Sequence, residues 1–228
     1  MLENNKWVEE TLINKDIALI GFADLSEIDA NLRHGLKYGI SIGMVLNVLP
    51  SITDEPSIEY YNEYQVISKK LSDITQFLVA EIKKRGFTAL PAKQQQSENF
   101  RTPIPFKTLA TRAGLGWIGK SAALITEQYG NAIRLNGVLT DMPFVTGTPI
   151  NVSFCGDCME CVDKCPGKAI AGKLWDLNTD RDDLLDAQKC KKTVSERGKI
   201  FNVMDGTCGI CITVCPWTKK YVRNALQS

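Results

Sequence analysis

Eight cysteines carry most of the chemistry that this sequence can do. Four fall in "CGDCMECVDKCP" as Cys155, Cys158, Cys161 and Cys165, followed by Pro166, a C-x2-C-x2-C-x3-C-P run. Cys208, Cys211 and Cys215 precede Pro216, and Cys190 stands between the groups. Two-residue gaps let successive thiolates turn about one cuboidal iron-sulfur cluster, while the fourth cysteine, redirected by its proline, reaches a neighbouring cluster. The spacing therefore predicts two 4Fe-4S clusters with crossed ligation. Cys155, Cys158, Cys161 and Cys215 hold the first; Cys165, Cys190, Cys208 and Cys211 hold the second. Asp205 stands where a symmetric repeat would begin with a cysteine, so Cys190 has to arrive from upstream. Zinc ribbons also use C-x2-C pairs, but four cysteines in one short run crowd a single tetrahedral ion, and the prolines have no part in a ribbon.

The glycine-rich "GLGWIGKS" at 115–122 exposes backbone donors beside Lys120. It lacks the spacing of a phosphate-binding loop. Glycines this close let backbone approach something flat or bulky, or they simply make a turn. "EYYNEY" places Tyr60 and Tyr64 on one helical face, where Tyr64 is either a proton donor or a packing group. His34 is the only histidine and reads as a solvated surface group, so no histidine-based metal site is available.

Several elements must position these residues. "IALIGFA" and "SIGMVLNV" read as buried strands, with a helix between them marked by Leu25, Ile28, Leu32 and Leu36. That helix would open at Asp24 or Ser26 and close near Gly35 or Gly39. Ile67, Leu71, Ile74, Leu78 and Ile82 mark one face of a longer helix over 63–85, ended by "KKRG". "FTALP" is a strand, "PFKTLATRAG" a short helix after Pro105, and "AALIT" with "NAIRLNGVLT" an antiparallel hairpin around "EQYG". Helices mixed with partly antiparallel strands predict an α+β class. The expected division is a sheet domain over 1–150, a ferredoxin-like module over 151–217, and a tail over 218–228.

The chain has 228 residues, 44% hydrophobic and 23% charged, with 27 basic against 26 acidic residues and a net charge of +1. Nothing in this balance points to a polyanion partner. The first residues lack a secretory signal and no apolar run approaches the roughly 20 residues of a membrane span. A cytoplasmic protein without membrane contact is expected, in which eight cysteines do not form a disulfide framework.

"AGLGWIGKS", "CGDCMECVDKCPGKAI", "LLDAQKC" and "CGICITVCPW" occur in this order, and together they resemble the epoxyqueuosine reductase family. The resemblance implies a cobalamin-binding domain similar in fold to flavin nitroreductases, joined to a two-cluster ferredoxin module, with electrons passing from the clusters to cobalt. It implies the same crossed ligation, with Cys190 as the distant ligand. Gly116, Gly119 and Lys120 would then lie against the corrin, Trp117 behind them, and Tyr64 would point into the same cavity. The family's proton-donating aspartate falls at Phe100 of this chain, and a family glutamate falls at Phe106. Glu98 and Tyr64, with Tyr61, are the substitutes. The family's C-terminal tRNA-engaging repeat domain is expected to be missing, because the chain stops soon after Pro216. That, with the near-zero charge, disfavours tRNA. The expected function is an iron-sulfur reductase that uses cobalamin and an external electron donor on a small molecule or corrinoid. The alternatives are a non-catalytic electron carrier, with a partner or flavin on its first domain, and an epoxyqueuosine-tRNA reductase.

Overall fold

The computed structural model describes residues 1–47, 55, 57–92, 100–203 and 208–227. The chain divides into two compact units, neither continuous in sequence. The first comprises Met1–Val45, Ser68–Leu115 and Arg134–Ile150; the second Leu46–Ile67, Gly116–Ile133 and Asn151–Ser228.

The first unit is built on a four-stranded sheet of β1 (Leu19–Asp24), β2 (Tyr38–Val45), β3 (Ala89–Pro91) and β6 (Ile133–Thr140), in the order β1-β2-β6-β3. β1 pairs antiparallel with β2, Phe22 opposite Ile40, and β3 antiparallel with β6, Leu90 opposite Leu139. Both strands read from the sequence at this edge are present. The helix expected between them is not. Asp24 and Asp29 instead accept hydrogen bonds from the backbone N–H groups of Ser26 and Asn31, each 2.8 Å long, and fold the segment into turns. His34 and Gly35 then adopt left-handed backbone with φ of 53° and 73°, which no helix can contain. Leu25 and Leu36 still bury, in a core with Ala92, Ile104 and Leu109.

Helix α1 (Leu2–Leu12) was not foreseen; it buries Val8 and Leu12, and Asn4 and Asn5 donate to the carbonyls of Pro143 and Val145. Helix α2 (Ile58–Lys84) follows its predicted stripe, burying Ile67, Leu71, Leu78 and Ile82. Its start lies earlier than predicted because the Ser57 hydroxyl accepts from Tyr60 N–H and caps it. Its end holds Lys83 and Lys84, with Gly86 at φ 86° after them. Helix α3 (Phe106–Arg112) begins after Pro105 as predicted.

In the second unit, β4 (Trp117–Ile118) and β5 (Leu124–Ile125) form a two-stranded hairpin. The expected pairing of "AALIT" with "NAIRLNGVLT" is thus replaced: β5 joins β4, and β6 lies in the sheet of the first unit. Only the isolated bridge Thr126–Gly130 remains of it. Short helices α4 (Glu160–Asp163), α5 (Arg181–Leu184), α6 (Ala187–Gly198) and α7 (Ile210–Thr213) follow, and residues 216–225, expected as module end and tail, form helix α8 (Pro216–Ala225). Residues 46–67 and 116–133, assigned by the sequence reading to the first domain, group with the cysteine segments. The reason is contact: Lys120 and Asn131 hydrogen-bond to the cysteine loops. No helix among the described residues is long and apolar enough to cross a membrane.

Candidate metal centre

The cysteine segments fold tightly because their turns are closed by their own backbone. Cys158 N–H donates to the Cys155 carbonyl at 3.2 Å, and α4 then carries Cys161. Ala169 N–H donates to the Cys165 sulfur at 3.4 Å. Cys190 sits in the first turn of α6, capped by Asp186, whose side chain accepts from Lys189 N–H at 2.9 Å. Gly209, with φ 131°, turns the chain between Cys208 and α7, which carries Cys211. Cys215 is the N-cap of α8, with Pro216 at the first helical position.

Cys155, Cys158, Cys161, Cys211 and Cys215 line one cavity of about 120 Å³. Cys155, Cys158, Cys161 and Cys215 are the set that spacing assigns to the first cluster, and Cys211 belongs to the second. Burial, reinforced by Cys155, Cys215 and Cys158, pushes the Cys161 thiol up to about 11. Burial also raises Cys190, where Cys208 and Cys165 are the neighbouring thiols. It raises Cys211, which has Cys208, Cys190, Cys161 and Cys165 around it. The electrostatic neighbours thus sort into the two predicted sets, and Cys211 with Cys161 marks where the sets adjoin. Thiols raised in this way give up their protons to a metal rather than to water. Among the described residues no three Cys, His, Asp or Glu side chains are arranged for a single metal ion. A cavity walled by spread thiols fits a cuboidal cluster better than a tetrahedral ion.

The hairpin β4–β5 reaches the same cavity. Its loop closes through Gly119 N–H to the Ala123 carbonyl and Ala122 N–H to the Gly119 carbonyl. A Cβ on Gly119 would stand 2.7 Å from Ile125 Cγ1 and 3.3 Å from Cys155 Sγ, and one on Gly116 would strike the Ile125 carbonyl. Gly119 therefore serves a close approach of backbone to the thiol site, and Gly116 a close approach of β4 to β5. The loop tip brings Lys120, 5% exposed, into the cavity, where its Nζ donates to the Cys158 carbonyl at 2.9 Å. Trp117 is fully buried between Phe154 and Trp217, each ring 5.1 Å away in edge-to-face geometry. Phe154 precedes Cys155 and Trp217 follows Pro216, so the aromatic cluster flanks two first-set ligands.

A buried polar pair fixes the ligand loops from the other side. Asn131 Nδ2 donates to the Cys211 carbonyl at 3.1 Å, its Oδ1 accepts from Thr218 Oγ1 at 2.9 Å, and its N–H donates to Thr218 Oγ1 at 3.1 Å. Sequence reasoning missed both residues, since 87 positions separate them and neither belongs to a pattern.

Of the residues expected against a corrin, Lys120 lines the thiol cavity, Gly119 stands beside Cys155, Trp117 packs on Phe154 and Trp217, and Gly116 lies against Ile125. Tyr64 does not line that cavity; it packs edge-to-face on Tyr60, centroids 6.3 Å apart. Glu98 lies outside the described residues. Phe100, at the family's acid position, has left-handed backbone with φ 55°. In the first unit a separate apolar cavity of about 280 Å³ is lined by Leu90, Pro91, Pro103 and Ile104 among others. Pro103 and Ile104 belong to the "FRTPIPFK" segment, and His34, exposed as the sequence reading expects, stands in the wall.

Residues 154–218 match the 4Fe-4S double cluster binding domain. Among curated proteins, the epoxyqueuosine reductase of Atelocyanobacterium thalassa (isolate ALOHA) is 33% identical over 131 residues, 53% of this chain and 40% of that protein. The chain matches 40% and 53% of the length of two such curated epoxyqueuosine reductases, and as little as 29% of another. Among solved structures, an epoxyqueuosine reductase with a tRNA-Tyr epoxyqueuosine-modified stem loop superposes with a TM-score of 0.61 at 19% identity, covering 95% of this chain and 66% of that one. A reductive dehalogenase, described as suggesting a mechanism for B12-dependent dehalogenation, gives 0.64 at 17%, covering 92% and 31%. The chain is a homologue of epoxyqueuosine reductases, shares their α+β fold, and carries a double-cluster domain. The expectation that tRNA is unlikely is corrected by the likeness to epoxyqueuosine reductases, one of which is solved with an epoxyqueuosine-modified tRNA stem loop. A net charge of +1 averages over the whole surface, whereas nucleic acid responds to local patches.

Proposed function

We propose that the protein is an iron-sulfur reductase of the epoxyqueuosine reductase type, which holds two 4Fe-4S clusters and works with cobalamin on epoxyqueuosine in tRNA. The observation that carries the reading is the convergence of Cys155, Cys158, Cys161, Cys211 and Cys215 on one cavity, drawn from two cysteine segments far apart in sequence. Cobalamin and tRNA enter from the relatives described as B12-dependent and tRNA-bound. When bound, the clusters supply electrons one at a time, and the corrinoid supplies the reducing cobalt.

The protein's own part follows from its side chains. Eight cysteines hold the clusters in crossed sets. The hairpin of Gly116–Thr126 closes one side of the first set, and the Trp117, Phe154 and Trp217 rings pack apolar surface beside it, which lowers the dielectric around the metal. Asn131 and Thr218 hold the Cys211 loop against the start of α8. Deoxygenating an epoxide to an alkene consumes two electrons and two protons and releases water, so a proton donor is required. The side chain at Phe100 cannot supply one. In the cavity beside "FRTPIPFK", His34 is the one titratable group among the described lining residues, and it takes the donor's role in this reading.

The test is anaerobic reconstitution with iron and sulfide, addition of cob(II)alamin and a low-potential reductant, and incubation with epoxyqueuosine-containing tRNA. Queuosine detected by mass spectrometry of the digested tRNA is the expected result. Two intact clusters without queuosine, beside an active control reductase, would remove the tRNA substrate. Failure to hold clusters at all would remove the whole reading.

A further inference from the structure

Lys120 lies where an ammonium is hard to place. It is 5% exposed, and its Nζ reaches the Cys158 carbonyl at 2.9 Å and Met159 Sδ at 3.5 Å. Among the described residues no carboxylate pairs with it; the nearby Glu160 pairs with Lys219 at 3.6 Å. A buried cation needs a counter-charge. A carbonyl and a thioether supply only dipoles. The sulfurs that share its cavity are those of Cys155, Cys158, Cys161 and Cys215, with Cys211 of the second set, and they become thiolates when they bind metal.

We propose that Lys120 is the built-in counter-ion of the first cluster, and that its fixed positive charge raises that cluster's reduction potential. The inference rests on the two-cluster reading above. A thiolate-bound cluster is anionic and gains one further negative charge on reduction, so a cation held beside it favours the reduced form. The hairpin geometry fits the assignment. Gly119, immediately before Lys120, permits the approach to Cys155 Sγ that brings the ammonium in. Lys120 is a positioning and tuning residue, since it touches the ligand loop and not a substrate.

The alternative is a purely structural role, in which the Nζ bond to Cys158 merely ties hairpin to loop. Charge separates the two. Lys120→Gln keeps a hydrogen-bond donor and loses the charge, while Lys120→Arg keeps both. The experiment is a redox titration of the reconstituted full chain, followed by electron paramagnetic resonance, with both clusters read together. In Lys120→Gln one midpoint should fall so that the reduced fraction at fixed poise drops about tenfold, or about 59 mV for a one-electron couple. The other midpoint should stay, and Lys120→Arg should restore the first. If Lys120→Gln loses the first cluster outright while Lys120→Arg keeps it at the wild-type potential, the charge is again the cause. Unchanged midpoints in Lys120→Gln, or loss of the cluster in both variants, overturns the proposal. Wild-type protein with fewer than two clusters by iron and sulfide analysis would instead refute the reading on which it rests.

Discussion

Asn131→Ala should loosen the centre without removing a ligand. Asn131 is 3% exposed and bonds twice through its side chain, to the Cys211 carbonyl and from the Thr218 hydroxyl. Truncation leaves both groups short of a partner inside the protein, at about 1–3 kcal/mol each. Thr218 Oγ1 keeps the Asn131 N–H as a donor to it, so its share falls at the low end and the sum is about 3 kcal/mol. For a chain of this size that corresponds to a midpoint lowered by about 6–12 °C. The assay is thermal unfolding of the reconstituted protein by circular dichroism, with iron release to a chelator followed in parallel. Thr218→Val alone should also destabilise. The double variant should cost less than the sum of the singles by about 1 kcal/mol, because removing both partners leaves fewer groups orphaned. A midpoint for Asn131→Ala within 1 °C of wild type, or strict additivity, would refute the view that this pair anchors the Cys211 loop.

Other expectations concern ligation and the proton. Cys215→Ser should halve the iron content by removing the first cluster, although Cys215 belongs to the second motif, and Cys165→Ser should remove the second; iron analysis with paramagnetic resonance distinguishes crossed from uncrossed sets. Gly130→Ala should reduce cluster retention severely, because Gly130 has φ 58° and a Cβ there would strike the Thr218 backbone and hydroxyl; iron content after gel filtration is the readout. His34→Asn, which tolerates the left-handed backbone at φ 53°, should lower turnover about 100-fold while leaving both cluster signals intact. An unchanged rate would take the proton donor away from His34.

What could be read from the sequence follows from how local each determinant is. The double-cluster segment was legible because ligand spacing is a short-range property. Strands β1 and β2 and the long α2 were legible from periodicity. The turn region after β1 was not, because Leu25, Ile28, Leu32 and Leu36 mimic a helical stripe, and only the side-chain bonds of Asp24 and Asp29 favour turns. The partner of β5 was misread because strand pairing is settled by tertiary contact, and a neighbouring apolar segment is not necessarily the mate. Gly116 and Gly119 signalled a close approach without saying to what. Lys120 finds the Cys158 carbonyl 38 residues away and Asn131 finds Cys211 80 residues away, and no window of sequence contains either pair.

The hairpin and Asn131 have a consequence for transplanting this centre. Every cysteine lies after residue 150, so a ferredoxin-like cassette cut from residue 151 onward would contain all eight thiols. It would also lack the Lys120 ammonium, the Trp117 ring, and the amide that clamps the Cys211 loop. Such a fragment would be a full set of ligands without its own environment. The smallest heritable part of this electron-transfer device is therefore discontinuous, and recombination that shuffles the cysteine segment alone would separate the metal from what tunes it.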